Sequence, residues 1–145
     1  MSTQILSHSA LIKPLVTLAG WSFVMEVWMY ATRIPAISKY KINTDPDKVA
    51  NEFKTKVPIS IQQIADNYNH LHEQPTVFYA VVLALALIGD NHPNTLKAAW
   101  TYVGLRITHS VFQSLVNKVM VRFQIFLTSS IVVGGLTARL ATLVY

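Results

Sequence analysis

The hydrophobic positions of this chain gather into four long stretches separated by three polar breaks. The stretches run from Leu11 to Ile37, from Ile59 to Ile88, from Thr95 to Asn117 and from Phe123 to Tyr145. Each is long enough for a helix that crosses a bilayer, which needs about 20 apolar residues. Isolated ionisable side chains interrupt or border every stretch. The pattern predicts an all-α chain that forms an integral membrane four-helix bundle.

The three breaks differ in their chemistry. Residues 38–58 are polar and rich in lysine, which predicts a solvated loop. Residues 89–94 carry strong turn signals, and we expect Asn94 or Thr95 to cap the helix that follows. No breaker separates the third stretch from the fourth near residues 117–122, so this connection is expected to be tight. Because no repeat or low-complexity segment divides the chain, residues 1–145 are expected to form one domain.

The composition agrees with a membrane location. The chain has 145 residues, of which 52% are hydrophobic and only 13% are charged. An ordinary soluble domain has about 25% charged residues, so a soluble enzyme is not expected. There is no cysteine, which excludes a disulfide framework, a thiolate nucleophile of the protein's own and a cysteine-ligated metal. Any thiol chemistry must use a thiol that a substrate brings.

The placement of lysine and arginine predicts an orientation. Four spans put residues 38–58 and the turn near Lys118 on one side of the membrane, together with most of the basic residues. The positive-inside rule makes that side cytoplasmic and places both termini across the membrane from it. The net charge of +5 is then explained by topology. Nucleic-acid binding is not expected, because residues 38–58 mix acids with the lysines and contain few aromatic residues.

Each predicted helix also carries a stripe of polar residues at helical spacing. In chain order the stripes comprise Glu26, Tyr30 and Arg33; Asp66, Asn69, His70 and Glu73; Tyr102, Arg106, His109, Gln113 and Asn117; and Arg122 with Ser129. Interhelical ion pairs would explain any one pair of charges. Interhelical hydrogen bonds average only ~0.6 kcal/mol in membranes, however, and the stripes hold more polarity than a bundle needs. A charged ligand explains the surplus, and arginines favour one that carries carboxylates or phosphates.

Two other kinds of site are less consistent with the spacing. His70, His72, Glu73 and His109 suggest a metal site, but positions two apart on a helix point about 200° from each other. His70 and His72 therefore cannot hold one ion unless the helix is broken there, and no Glu-x-x-His spacing is present. A Ser/His/Asp triad is no better supported, because Ser110 merely adjoins His109. We expect no metal.

Three motifs lie along these stripes. They read Asn-His-Leu-His-Glu-Gln-Pro-Thr-Val-Phe-Tyr at 69–79, Leu-Arg-Ile-Thr-His-Ser at 105–110 and Asn-Lys-Val-Met-Val-Arg-Phe at 117–123. Together they resemble the membrane-associated proteins in eicosanoid and glutathione metabolism (MAPEG), and microsomal glutathione transferases in particular, over residues 60–145. The resemblance implies a homotrimer of four-helix subunits. It also implies that glutathione binds between neighbouring subunits near the cytoplasmic face.

The resemblance assigns roles to individual residues. Arg122 matches the arginine that in catalytic members lies close to the glutathione sulfur and stabilises its thiolate. Glu73 matches the glutamate of the second segment, and Arg106 with His109 matches the Arg-x-x-His of the third helix. His70 stands where the family has asparagine, with Asn67 or Asn69 as substitutes. The expected glutathione-binding residues are Glu73, Arg106, His109, Asn69, His70, Gln113 and Arg33.

The expected activity is that of a glutathione-dependent transferase or peroxidase. Glutathione is the co-substrate, and a hydrophobic electrophile or lipid is the other partner. Phe123 and Phe126 occupy positions where the prostaglandin and leukotriene enzymes have hydroxyl groups, which argues against those two reactions. The same residues favour the alternative of a non-catalytic lipid- or partner-binding protein. A transporter is a further alternative, but it needs a continuous polar path, which the apolar residues 81–87 and 131–133 interrupt.

Overall fold

The computed structural model describes residues 9–145, and all of their regular structure is helical. Within residues 9–145 there are six helices: α1 (Ile12–Lys39), α2 (Pro46–Lys56), α3 (Ile59–His70), α4 (Pro75–Leu87), α5 (Pro93–Leu115) and α6 (Val119–Val144). The all-α prediction is therefore confirmed. The first, third and fourth apolar stretches each form one helix, and the connection between α5 and α6 is as tight as expected.

The second apolar stretch differs from the prediction, because it forms two helices rather than one. Helix α3 ends at His70, and α4 begins at Pro75. Proline has no backbone N–H, and its ring clashes with the carbonyl four residues earlier, which disfavours a helix that continues through Pro75, although α1 does continue through Pro35. The turn of residues 71–74 between the two helices lies beside the candidate site.

Residues 38–58 also differ from the prediction of a plain loop, because they contain helix α2. Pro46 occupies its first turn, where a missing N–H costs nothing, and Asp47 complements the positive end of the helix dipole. Phe53 is buried with Ala36 of α1 and with Val57. The segment is therefore amphipathic, with an apolar side against the end of α1 and exposed lysines on the other.

The main core lies where α1, α4, α5 and α6 meet. It is built from buried residues of all four helices, such as Leu18, Val82, Val103 and Leu136. The rings of Phe78 on α4 and Tyr102 on α5 stack with centroids 4.4 Å apart. This packing fixes α5 against α4 and so sets the position of the polar residues further along α5.

Much apolar surface stays outside this core, notably on α1 and α6, where Phe23, Val27 and Ile131 are exposed. Within residues 9–145, α6 is the one helix that meets the length and composition criteria for a membrane span, with a mean hydropathy of 1.7. The second stretch fails the length criterion because Pro75 divides it. Charged and polar residues such as Glu26, Lys97 and Arg106 lower the hydropathy of α1 and α5.

The turn between α4 and α5 is held by Asp90. Its buried carboxylate accepts hydrogen bonds from Thr95 Oγ1 at 2.9 Å and from Arg139 Nε at 3.1 Å. The residue that caps α5 is His92, whose Nδ1 accepts from the backbone N–H of Asn94 at 3.2 Å. The expectation that Asn94 or Thr95 supplies the cap is wrong, because Pro93 starts the helix earlier and Thr95 turns to Asp90 instead.

Acid is expected to weaken this turn. The Arg139 guanidinium holds the pKa of the Asp90 carboxyl below its ordinary value of 3.8. A lowered folded-state pKa stabilises the fold above the unfolded value, and that stabilisation is lost as the pH falls through the folded value. The melting temperature of the wild type should fall between pH 5 and pH 3. In Asp90→Asn this fall should be smaller by about 4 °C. Asp66→Asn removes an exposed carboxylate that forms no salt bridge within residues 9–145, and it should show the same acid-induced fall as the wild type. A change as large as that of Asp90→Asn would contradict the assignment.

Candidate functional site

A small cavity opens where the end of α3 meets α5 and the start of α6. Its volume is about 190 Å³. Its walls are His70, His109, Val119, Arg122, Phe123 and Phe126. Three of the residues predicted from the sequence, His70, His109 and Arg122, therefore lie around one space although they come from three different helices.

Arg122 presents its cation to this cavity from the first turn of α6. The side chain is half-buried, and its Nη1 donates to Asn117 Oδ1 at 2.6 Å. Asn117 lies in the tight turn before α6 with a positive φ of 54°, a conformation that asparagine tolerates better than most residues. The turn that joins the two helices thus also orients Arg122. Within residues 9–145, Arg122 forms no salt bridge.

Arg106 lies behind the cavity and is fully buried, with 0% of its surface exposed. Its Nη2 donates to the backbone carbonyl of His70 at 3.2 Å, and its guanidinium carbon lies 5.5 Å from the centre of the Phe126 ring. Nε and Nη1 have no hydrogen-bond partner in the described part of the chain. A buried charge normally has a counter-ion or a complete set of hydrogen bonds. This cation has neither, so the site is electrostatically suited to an anion.

His70 lies beside two further predicted residues, Glu73 and His109. Its Nδ1 is 2.7 Å from Glu73 Oε2, and its ring centre lies 5.2 Å from that of His109. Glu73 itself does not line the cavity, and its side chain is 66% exposed. The carboxylate therefore holds the His70 ring from the outer side and does not neutralise Arg106 by direct contact.

Three predicted residues lie elsewhere. Arg33 and Asn69 line a separate groove of about 480 Å³ beside α2, in which the Arg33 guanidinium carbon is 4.5 Å from the centre of the Phe53 ring. Gln113 is buried one turn beyond His109, and its Oε1 has no partner within residues 9–145. It does not form a wall of the cavity.

The structure adds a hydrogen-bond centre that the sequence analysis missed. Gln74, in the turn before α4, donates from Nε2 to Ser130 at 2.6 Å and accepts from the hydroxyl of Tyr102 at 3.3 Å. Ser129 Oγ lies 3.4 Å from the same Oε1, but its proton goes to the carbonyl oxygen of Phe126 at 2.7 Å. One side chain thus connects the turn of residues 71–74 to α5 and α6. The signal in the sequence was a lone glutamine next to Pro75, which is too weak to find without the fold.

The size and charge of the cavity limit what it can hold. Ligand sites that enclose a small molecule usually measure about 300–1,000 Å³, so 190 Å³ is too small to surround a tripeptide. Arg122 forms one wall and Arg106 lies directly behind. Within residues 9–145, no group of three or more metal-ligating side chains lies together. The arrangement is that of part of an anion site, open on one side.

Comparison with known proteins gives one result. A model of the MAPEG family matches residues 11–142, nearly the whole chain. No curated protein and no solved structure is significantly similar to the chain.

Proposed function

The chain belongs to the MAPEG family, and from that premise we propose that it is a glutathione-dependent transferase or peroxidase acting on hydrophobic electrophiles. The match confirms the family resemblance of the sequence motifs. Family membership makes the chain an integral membrane protein related to glutathione and eicosanoid metabolism. The reaction, the glutathione site and the subunit arrangement are the proposal.

The observation that carries the proposal is the cation of Arg122 beside a cavity with no carboxylate in its walls. A glutathione thiol has a pKa near the ~8.5 of cysteine, and a nearby cation favours its thiolate. The thiolate sulfur then attacks a carbon that bears a leaving group. The C–S bond forms, the bond to the leaving group breaks, and the thiol proton passes to solvent. Arg106 and His109 add positive and polar groups that suit the carboxylates of the tripeptide.

We place each glutathione molecule between two copies of the chain in a homotrimer. The cavity beside Arg122 is too small for a tripeptide, whereas Arg33 and Asn69 lie in a different groove of the same chain. A neighbouring copy that presents its own Arg33 and Asn69 to the cavity would complete the site. Exposed apolar residues such as Ile34 at the end of α1 and Ile131 on α6 provide surface for that contact.

Mixing two inactive variants tests both the reaction and the shared site. Arg33→Ala and Arg122→Ala are each expected to lose conjugation of chlorodinitrobenzene with glutathione. Co-expressed, they should regain about a quarter of the wild-type activity, because some sites then combine an intact Arg33 from one copy with an intact Arg122 from the next. As controls, each variant is expressed alone at the same total amount of protein.

The possible failures differ in meaning. A wild-type protein that conjugates no electrophile contradicts the transferase proposal. A wild-type protein that is active, with a mixture that stays inactive, contradicts only the sharing of the site between copies.

A second candidate function is non-catalytic lipid or partner binding on the same scaffold. Phe123 and Phe126 line the cavity next to Arg122 and offer no hydroxyl group to a reacting substrate. Glutathione binding without turnover of any electrophile would favour this candidate.

For the membrane, we propose four spans with residues 38–58 in the cytoplasm and both termini on the opposite side. In this arrangement α3 and α4 together form the second span. The exposed lysines Lys48, Lys54 and Lys56 of α2 then lie on the cytoplasmic side, as the positive-inside rule requires. The cavity beside Arg122 lies at the start of α6, next to the turn that this arrangement places on the same side, where glutathione is available.

A further inference from the structure

A further groove lies between α1 and the α3–α4 segment, away from the cavity beside Arg122 and from the groove beside α2. Its volume of about 500 Å³ is within the usual range for small-molecule sites. Most of its walls are apolar. The wall residues on α1 are Leu15, Ala19, Ser22, Phe23 and Glu26. Those on the other side include Leu71, Thr76, Tyr79, Ala80 and Leu83.

Glu26 is the one carboxylate among the lining residues. It lies halfway along α1, in the same stretch as the exposed Phe23 and Val27. In the described part of the chain it forms no salt bridge and no hydrogen bond that would offset its charge. An ionised carboxylate in such an apolar setting costs free energy, so a residue of this kind usually serves a function and has a partner of opposite charge. The partner that complements it is a cation.

A histidine in the wall of the same groove also favours a ligand that donates hydrogen bonds. His72 lines the groove, and its Nδ1 lies 2.9 Å from the carbonyl oxygen of Tyr68. A carbonyl only accepts, so Nδ1 donates, and the other ring nitrogen of a neutral His72 is an acceptor. The Tyr68 ring packs against His72 with centroids 4.6 Å apart. The walls of the groove therefore offer a carboxylate and an imidazole acceptor.

We propose that this groove binds an amphiphile with a primary ammonium group, which pairs with Glu26 while its apolar chain lies along Leu15, Ala80 and Leu83. An ammonium group has three donors for the acceptors of the groove. A carboxylate of the same chain length meets Glu26 as a like charge and is excluded. The proposal does not depend on glutathione or on the activity proposed above.

Binding of three matched fluorescent probes tests the site. The probes are a long-chain amine, the alcohol and the carboxylic acid of equal length, titrated in non-ionic detergent without glutathione. The amine should bind about tenfold more tightly than the alcohol and more tightly still than the acid. Glu26→Gln should bind the amine and the alcohol equally. Asp47→Asn, which removes one exposed carboxylate elsewhere, should keep the wild-type order.

A second variant covers the case in which Glu26→Gln does not fold. Leu83→Trp fills the apolar part of the groove. It should weaken the binding of all three probes by a similar factor and keep the order of their affinities. The proposal is overturned if the probes bind the wild type equally, if the amine preference survives in Glu26→Gln, or if Leu83→Trp leaves binding unchanged. Absence of binding to the wild type, as expected if another copy of the chain fills the groove, also overturns it.

Discussion

Replacing Arg122 with alanine is expected to lower kcat/KM for the conjugation of glutathione with chlorodinitrobenzene by about a hundredfold. The guanidinium faces the cavity and is held by Asn117, so it is in place before the thiolate forms. Its removal takes away the charge that makes the thiol nucleophilic at neutral pH. Activity of the variant should therefore rise with pH further than that of the wild type, as solvent hydroxide takes over ionisation of the thiol.

Two matched variants separate this role from general effects of charge. Lys118→Ala removes an exposed cation four residues earlier and should leave both the rate and the pH profile unchanged. Arg122→Lys keeps the charge but loses the planar donor group that bonds Asn117, so its kcat/KM should be about tenfold lower than that of the wild type. If Arg122→Ala keeps the wild-type rate and pH profile, Arg122 is not the thiolate-stabilising cation.

Replacing Arg106 with methionine is expected to stabilise the protein without glutathione and to abolish glutathione binding. Exchange of a poorly compensated buried charge for an apolar side chain of similar length can stabilise a fold by about 1–4 kcal/mol. Arg106 is such a charge, with two nitrogens that lack partners in the described residues. At a concentration of a hundred times its dissociation constant, glutathione should stabilise the wild type by about 2.7 kcal/mol. It should not stabilise the variant.

Arg139→Met is the matched control for that experiment. Arg139 pairs with Asp90 through two hydrogen bonds, of 3.1 and 3.3 Å, so its loss should destabilise the protein and leave glutathione binding intact. Thermal unfolding in detergent and titration calorimetry with glutathione measure the two effects. A destabilised Arg106→Met that still binds glutathione would mean that Arg106 serves the fold alone.

The helical architecture could be predicted from sequence because it follows from local patterns. Long apolar stretches and the turn signals around Gly89 are properties of neighbouring residues, and they placed α1, α5 and α6 to within a few residues. The break at Pro75 was missed, and proline alone does not predict it, because α1 continues through Pro35. Helix α2 was missed because its single buried aromatic, Phe53, is an apolar signal too short to stand out among lysines.

The candidate site could be predicted only in part. The stripes identified His70, His109 and Arg122, because residues at helical spacing share a face and the faces meet in a bundle. The same reasoning grouped Arg33 and Asn69 with them, yet these two lie in another groove. Helical spacing gives the face of a helix but not the neighbour that the face meets. The hydrogen bonds of Gln74 depend on residues more than 25 positions away, and no local pattern encodes them.

The contact of Arg106 with a main-chain oxygen has a consequence for sequence variation. Its anchor is the carbonyl of His70 at the end of α3, which every amino acid possesses. Exchange of the side chain at position 70 therefore leaves the anchor in place. Insertion or deletion of one residue between 71 and 74 would shift α3 relative to α4 and move that oxygen away. As far as this anchor is concerned, homologues are free to vary in residue type at position 70 but not in the length of the turn.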